Sequence, residues 1–266
     1  MSAERRIEVE VEVEVSATPE QVWEAIATGP GITAWFMPAE VEGRVGGTVV
    51  HRQEGFPASP GTVTAYDPPR RFAYEEESPL GEHEPEAHPI GTEFLVEARD
   101  GGTCVVRVVT SGFGEGEALK RAIEDFSTGW RQVLLSLGLY LTNFGGEPVG
   151  SVNAGVTASG NVAAVWSELT GALGLPAEPR AGERIATTAP GAPALAGRVE
   201  KAGDHMITLL LDEPARGLGF VGAGGPGEQA HAVVRAQLFG RDASEIAARE
   251  QQAWNDWLAR VPVGTS

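Results

Sequence analysis

The chain has 266 residues, an ordinary hydrophobic content of 42% and a formal net charge of −17. That length holds one large or two ordinary domains, each with its own core, and so acidic a surface disfavours nucleic acid and anionic membranes, which need basic patches. No apolar run approaches the ~20 residues of a membrane span, no basic-then-apolar leader opens the sequence, and one cysteine, Cys104, leaves no internal disulfide and fits a reducing, cytoplasmic compartment.

The charge is uneven. Residues 1–146 carry 24 acids against 11 Lys/Arg, and the remainder 13 against 9. Only Lys120 and Lys201 are lysines, and alanine and glycine are abundant, a composition associated with GC-rich bacterial genomes.

Ile7, Val9, Val11, Val13 and Val15 alternate with Glu8, Glu10, Glu12 and Glu14, which predicts a half-buried strand with an acidic outer face. A solvated ladder of alternate glutamates is not a metal site. Thr18 as N-cap and Pro19 at the first position start a helix whose stripe is Val22, Trp23 and Ile26, and Gly29-Pro30-Gly31 is expected to end it. A short helical turn carrying Trp35 and Phe36 follows. Strands are then expected over 39–44, 48–53, 62–66, 71–77, 92–98 and 104–110. Gly46-Gly47, Asp67-Pro68-Pro69 and Asp100-Gly101-Gly102 supply turns between neighbours, so the sheet is an antiparallel meander. Residues 78–89 form a longer loop rich in Glu and Pro.

Residues 118–144 dominate this half. Leu119, Ala122, Ile123, Phe126, Trp130, Val133, Leu134, Leu137, Leu141 and Phe144 recur at three-and-four spacing, the mark of an amphipathic helix roughly 40 Å long. Asn143-Phe144-Gly145-Gly146 and Pro148 stop it. A helix that long after a run of strands suggests an α+β domain over 1–146, its curved antiparallel sheet wrapped around the helix.

From about Ser151 the chain reads as a shorter copy. A strand over 152–158 precedes the helical pattern Asn161 to Leu169, which repeats Glu20 to Ile26. Strands are expected over 182–188, 195–201, 206–212, 218–222 and 230–239, and a last helix over 244–261. There Trp254 with Leu258 takes the place of Trp130 with Leu134. The counterpart of Trp35-Phe36 is missing, replaced by a connection rich in Pro and Gly over 171–182. The second domain is therefore 151–266, a reduced version of the first.

Chemistry-bearing motifs are few. His51, Tyr66, Tyr74, Glu93 and Arg107 are the acid–base candidates, but no nucleophile motif such as Gly-x-Ser-x-Gly is present and no catalytic residue is assigned. His51 is read as a surface or otherwise satisfied histidine. The loop His83-Glu84-Pro85-Glu86-Ala87-His88 has ligand-type side chains but matches no metal motif. The glycines of 217–227 lack the Lys-Ser/Thr and the following helix of a phosphate loop. Neither metal nor cofactor is expected.

Thr18-Pro19-Glu20-Gln21-Val22-Trp23, Ile32-Thr33-Ala34-Trp35-Phe36 and Arg44-Val45-Gly46-Gly47-Thr48 stand in a familiar order. With Gly61-Thr62-Val63, Asp67 to Tyr74, Gly102-Thr103-Cys104, Gly112-Phe113 and Gly129 to Leu134, the succession resembles the activator-of-heat-shock-ATPase-like branch of the SRPBCC (START-like, helix-grip) superfamily. The resemblance covers residues 7–144, and residues 151–266 share it through the internal repeat.

It implies a cavity between sheet and long helix, as in relatives that bind lipids, hormones or polyketides, cyclise polyketides, sequester natural products or touch chaperones. The expected ligand is a hydrophobic, cyclic or aromatic small molecule. Trp35, Phe36, Phe56, Phe72, Tyr74, Phe94, Phe113, Phe126 and Trp130 are the candidate binding residues, because small-molecule pockets are mostly apolar with few polar groups. Gly129 and Gly138 would leave space beside them, at about 1 kcal/mol each relative to alanine. A polyketide cyclase or aromatase-like enzyme and a chaperone-associated interaction module are the alternatives, with a homodimer or a chaperone contact as further partners.

Overall fold

The valine–glutamate alternation forms β1 (Arg5–Val15), which pairs antiparallel with β7 (Thr103–Gly114) from Arg5 opposite Gly114 to Val15 opposite Cys104. Successive side chains of a strand point to opposite faces, so Glu8, Glu10, Glu12 and Glu14 are all exposed. On that face Arg107 of β7 lies 2.7 Å from Glu10 and 3.4 Å from Glu12, and Thr103 donates to Glu14 at 2.9 Å. Exposed pairs of this kind add little stability. They offset the repulsion within the glutamate ladder.

The computed structural model describes residues 5–52, 58–77, 89–114, 117–176, 178–225 and 229–261, and for 5–6, 59, 77, 89, 113–114, 117–128 and 229 it describes the backbone only. The chain divides into two compact units, Met1–Gly145 and Gly146–Ser266.

In the first unit, α1 (Pro19–Ala27) opens on a reciprocal cap. The Thr18 hydroxyl accepts from the Gln21 N–H at 3.3 Å, and the Gln21 side-chain oxygen accepts from the Thr18 N–H at 2.9 Å. As expected, α1 stops just before Gly29-Pro30-Gly31, at Ala27, but that triplet is more than a stop. It begins a second helix, α2 (Gly29–Thr33). The cause is Thr28, which terminates α1 and caps α2, its hydroxyl accepting from the Gly31 N–H at 3.0 Å. Gly31 is also required sterically: a Cβ there would lie 1.9 Å from the Glu24 carbonyl oxygen. Trp35 and Phe36 follow α2 directly.

The sheet is completed by β2 (Ala39–Val41), β3 (Thr48–His51), β4 (Ser59–Asp67), β5 (Arg71–Glu77) and β6 (Pro89–Arg99). Its order is β1-β7-β6-β5-β4-β3-β2, antiparallel throughout. The expected strand over 39–44 stops at Val41, because residues 42–47 fold on themselves: the Arg44 N–H donates to the Glu42 carbonyl at 2.7 Å and the Gly47 N–H to the Arg44 carbonyl at 2.9 Å.

The long helix, α3 (Glu117–Asn143), packs on β1 and β7. Its buried face from residue 130 onward is Trp130, Leu134, Leu137 and Tyr140, continued by Phe144 just past its end. Tyr140 belongs to that face, whereas Val133 and Leu141 of the expected stripe are only half-buried. Gly129 is exposed and an added Cβ there would meet nothing, so it opens no space inside; a Cβ at Gly138 would touch Val15 at an ordinary 3.9 Å.

The second unit runs β8 (Val149–Ser159), α4 (Val162–Leu173), β9 (Arg184–Ala186), β10 (Ala196–Gly203), β11 (Met206–Glu213), β12 (Gly217–Gly224), β13 (Gln229–Phe239) and α5 (Ala243–Leu258). Its sheet order, β8-β13-β12-β11-β10-β9, repeats that of the first unit with one strand fewer, and α2 has no counterpart. Both units are thus α+β helix-grip folds. Trp254 and Leu258 are buried as Trp130 and Leu134 are, and Trp254 meets Trp257 edge to face with centroids 5.7 Å apart. At the open edge of the sheet the Gln251 side chain accepts from the Asn153 N–H at 2.7 Å and donates to the Asn153 carbonyl at 3.0 Å, closing β8 against further pairing.

Candidate functional site

Strand pairing determines which residues share the inner face of the first sheet. Phe72 of β5 stands opposite Phe94 of β6, which stands opposite Val108 of β7. The next row is Tyr74, Thr92 and Thr110. All six are buried. The inner wall is therefore aromatic, with a polar band of one tyrosine and two threonines crossing three strands.

The aromatic rings make a closed circuit. Phe36 contacts Trp130 (5.7 Å between centroids), Trp130 contacts Phe94 (5.4 Å) and Phe94 contacts Phe72 (6.4 Å). Phe72 then contacts Tyr74 (5.8 Å), Tyr74 contacts His51 (5.4 Å), and His51 returns to Phe36 (6.0 Å). Trp35 stacks on Phe36 at 5.8 Å and anchors it by donating its indole N–H to the Ala25 carbonyl at 2.9 Å. The circuit thus joins α3, three strands and the turn after α2. Phe36 is its half-buried member, and the other five are buried.

Three features give this interior chemical character. His51 Nδ1 lies 3.9 Å from a Glu76 carboxylate oxygen, and both side chains are nearly buried. Burial, and after it the charge of Glu76, pushes the Tyr74 hydroxyl far above its ordinary pKa against the opposing effect of a hydrogen bond with Thr92, so Tyr74 stays protonated. The indole N–H of Trp130 is buried and has no hydrogen-bond partner among the described residues. A buried donor left open costs roughly 1–3 kcal/mol, so such groups are rare.

Of the residues singled out in the sequence, Trp35, Phe36, Phe72, Tyr74, Phe94 and Trp130 come together here. Phe56 lies outside the described residues, as does the loop from His83 to His88; Phe113 and Phe126 are placed in β7 and α3 by their backbone alone. Among the acid–base candidates, Glu93 and Arg107 are not in this interior: Glu93 pairs with Arg71, and Arg107 with Glu10 and Glu12. Tyr66 stands opposite Phe72 in the same row and packs beside the circuit against Trp23 (5.0 Å) and Phe72 (6.2 Å). His51 is buried, not at the surface, because β3 turns it onto the inner face between Phe36 and Tyr74.

Glu76, Thr92 and Thr110 are additions to the sequence reading. Period two alone places Glu76 on the face of Tyr74; the threonines needed the strand register. A groove on the outer face, lined by Asp67, Arg70, Arg71, Leu95, Val96, Glu97, Val105 and Arg107, offers no free charge, since each of its arginines faces a carboxylate. No group of three or more His, Cys, Asp or Glu side chains placed to hold a metal occurs among the described residues, and no helix among them is long and apolar enough to cross a membrane.

The family model for activator of Hsp90 ATPase homolog 1-like protein matches residues 16–142. No curated protein matches the chain. Among solved structures, a Mesorhizobium loti protein is 22% identical, covering 52% of this chain and 98% of its own, with a TM-score of 0.46. The Aha1 dimer from Colwellia psychrerythraea is 22% identical over 53% of this chain and 98% of its own, with a TM-score of 0.41. The di-domain ARO/CYC BexL from the BE-7585A biosynthetic pathway is 16% identical over 97% of this chain and 96% of its own, with a TM-score of 0.46. Residues 16–142, a little under half of the chain, are thus similar to the activator of Hsp90 ATPase homolog 1-like family.

Proposed function

We propose that the first unit binds a hydrophobic, cyclic or aromatic small molecule between its sheet and α3. The observation that carries this is the closed circuit of Phe36, Trp130, Phe94, Phe72, Tyr74 and His51, an aromatic wall with few polar groups, as small-molecule sites have. Trp35 and Phe36 form its cover, Phe36 being the ring that reaches solvent. Phe56, Phe113 and Phe126 belong to the same proposal on sequence grounds.

A second reading is an enzyme of the cyclase or aromatase kind. It is favoured by His51 and Glu76 lying 3.9 Å apart beside the protonated Tyr74, since acid–base chemistry on a bound ring needs titratable groups within reach. In that case His51→Gln lowers turnover far more than it lowers affinity.

Native mass spectrometry of the purified protein, against the same sample denatured, tests the binding function. A small-molecule mass that leaves on denaturation supports it. A bare chain that also fails to bind 2-acetylnaphthalene at high micromolar concentration overturns it and moves the assignment to an interaction role.

A further inference from the structure

We propose that the molecule held by the first unit carries a positive charge, a protonated or quaternary amine beside its apolar body, and that this group lies against Trp130, Phe36 and His51 within reach of the Glu76 carboxylate. This rests on the binding function proposed above and adds the sign of the ligand's charge and the place where that charge sits.

Exposure decides the place. Phe72 is 0% exposed and Phe94 and Tyr74 are each 3% exposed, so they wall the circuit without offering an accessible face. The surface that remains belongs to Trp130 at 7%, to the half-buried Phe36, and to the side chains of His51 and Glu76 at 10% and 12%. These four follow one another in space. The ring centroids of Trp130 and Phe36 are 5.7 Å apart, those of Phe36 and His51 are 6.0 Å apart, and His51 Nδ1 lies 3.9 Å from a Glu76 carboxylate oxygen. A carboxylate thus stands at the end of an accessible row of three rings.

Charge decides the sign. The faces of tryptophan and phenylalanine rings are electrostatically negative and attract cations, tryptophan most strongly. Glu76 adds a full negative charge to the same row, whose histidine is a cation only when protonated. The arginines next to the row in the chain are exposed: Arg52 donates to Glu40 at 3.0 Å, and Arg131 follows Trp130 on α3. The charge of Glu76 is felt inside the circuit, where after burial it is the second cause that keeps the Tyr74 hydroxyl protonated. An anion brought to this row meets a carboxylate and ring faces of its own sign. A cation is attracted by both.

The test uses two probes of one shape: 2-naphthylmethyl-trimethylammonium, and 2-neopentylnaphthalene, in which carbon replaces the charged nitrogen. Each is titrated into the full chain by calorimetry, with 2-acetylnaphthalene as an uncharged reference. The expected result is that the cation binds more tightly than its isostere, and that Glu76→Gln weakens the cation about tenfold while leaving the isostere unchanged. Phe36→Leu keeps an apolar side chain but removes the ring, and should weaken the cation about threefold relative to the isostere. That variant decides the matter should Glu76→Gln not fold. An isostere that binds as tightly as the cation overturns the positive charge and leaves the apolar binding function intact. Binding of 2-acetylnaphthalene without binding of the cation does the same. A folded Glu76→Gln variant that weakens both probes alike, or neither, overturns the inference by removing Glu76 as the counter-charge. If none of the three molecules binds, both the inference and the binding function fall.

Discussion

Trp130 of α3 and Phe94 of β6 meet edge to face, their ring centroids 5.4 Å apart and their planes at 90°. In that geometry the positive edge of one ring faces the negative face of the other, which adds about 0.5–1.5 kcal/mol to the area the rings bury. The contact joins the long helix to the middle of the sheet, so it belongs both to the core and to the proposed site.

Trp130→Ala is expected to destabilise the protein by about 3–5 kcal/mol, as deletion of a buried large aromatic does. Phe94→Ala should cost a similar amount. Denaturant unfolding of the two single variants and the double variant should yield a coupling of about 0.5–1.5 kcal/mol. Strict additivity would mean that the two rings do not support each other.

Tyr74 makes stability fall in alkali. The unfolded chain ionises it near the ordinary tyrosine value of 10.0, while the folded chain keeps the proton well beyond that. Above that value the unfolded state has lost a proton that the native state retains. The stabilisation is therefore complete below about pH 10 and declines as pH rises, by up to about 1.4 kcal/mol per unit. Tyr74→Phe should remove this contribution, so urea midpoints measured from pH 9 to pH 11.5 should fall less steeply than in the unaltered protein. Parallel curves would show that Tyr74 ionises in the folded state as it does in the unfolded chain.

Thr18→Ala and Gly31→Ala separate capping from crowding at the α1–α2 junction. Loss of the Thr18 cap should cost about 1 kcal/mol. A methyl at Gly31 would lie 1.9 Å from the Glu24 carbonyl oxygen, so the two helices must move apart at a cost of about 3 kcal/mol. Thermal unfolding should rank Gly31→Ala as the more damaging change. The reverse order would mean that the helix pair relaxes easily.

Gln251→Ala tests how the second sheet protects its edge. It removes two hydrogen bonds to Asn153, with an expected loss of about 1–3 kcal/mol. The Asn153 amide should exchange with solvent about tenfold faster or more, because its partner is a side chain and not a neighbouring strand. An unchanged exchange rate would show that the edge is closed by something other than Gln251.

Much of the architecture is written locally. The alternation from Ile7 to Val15, the Thr18-Pro19 start and the spacing of Trp130, Leu134, Leu137 and Phe144 are periods of two and of 3.6, which backbone geometry imposes on any chain with one buried face. The repeat of strand and helix after residue 150 was legible for the same reason. Where local reading fell short, the cause lay a few residues away: the short helix expected to carry Trp35 and Phe36 begins earlier, at Gly29, because Thr28 caps it, and the two aromatics follow it.

The candidate site was legible as a list of aromatics but not as an arrangement. Period two could set Phe72 with Tyr74 on one face. It could not bring Thr92 and Thr110 into line with Tyr74, because that depends on strand register, and register is decided by pairing between distant segments. His51 likewise became an interior group only through the approach of Phe36 from the turn after α2 and of Tyr74 from β5. The sequence by itself determined the elements, their order and an α+β class with a sheet curved around a long helix, since these follow from short-range periodicity and turn chemistry; the helix-grip class was implied by the family resemblance. The closed ring circuit and the exclusion of Glu93 and Arg107 from it were decided only by the tertiary structure, because contacts between side chains far apart in the chain exist only once the sheet has wrapped around the helix.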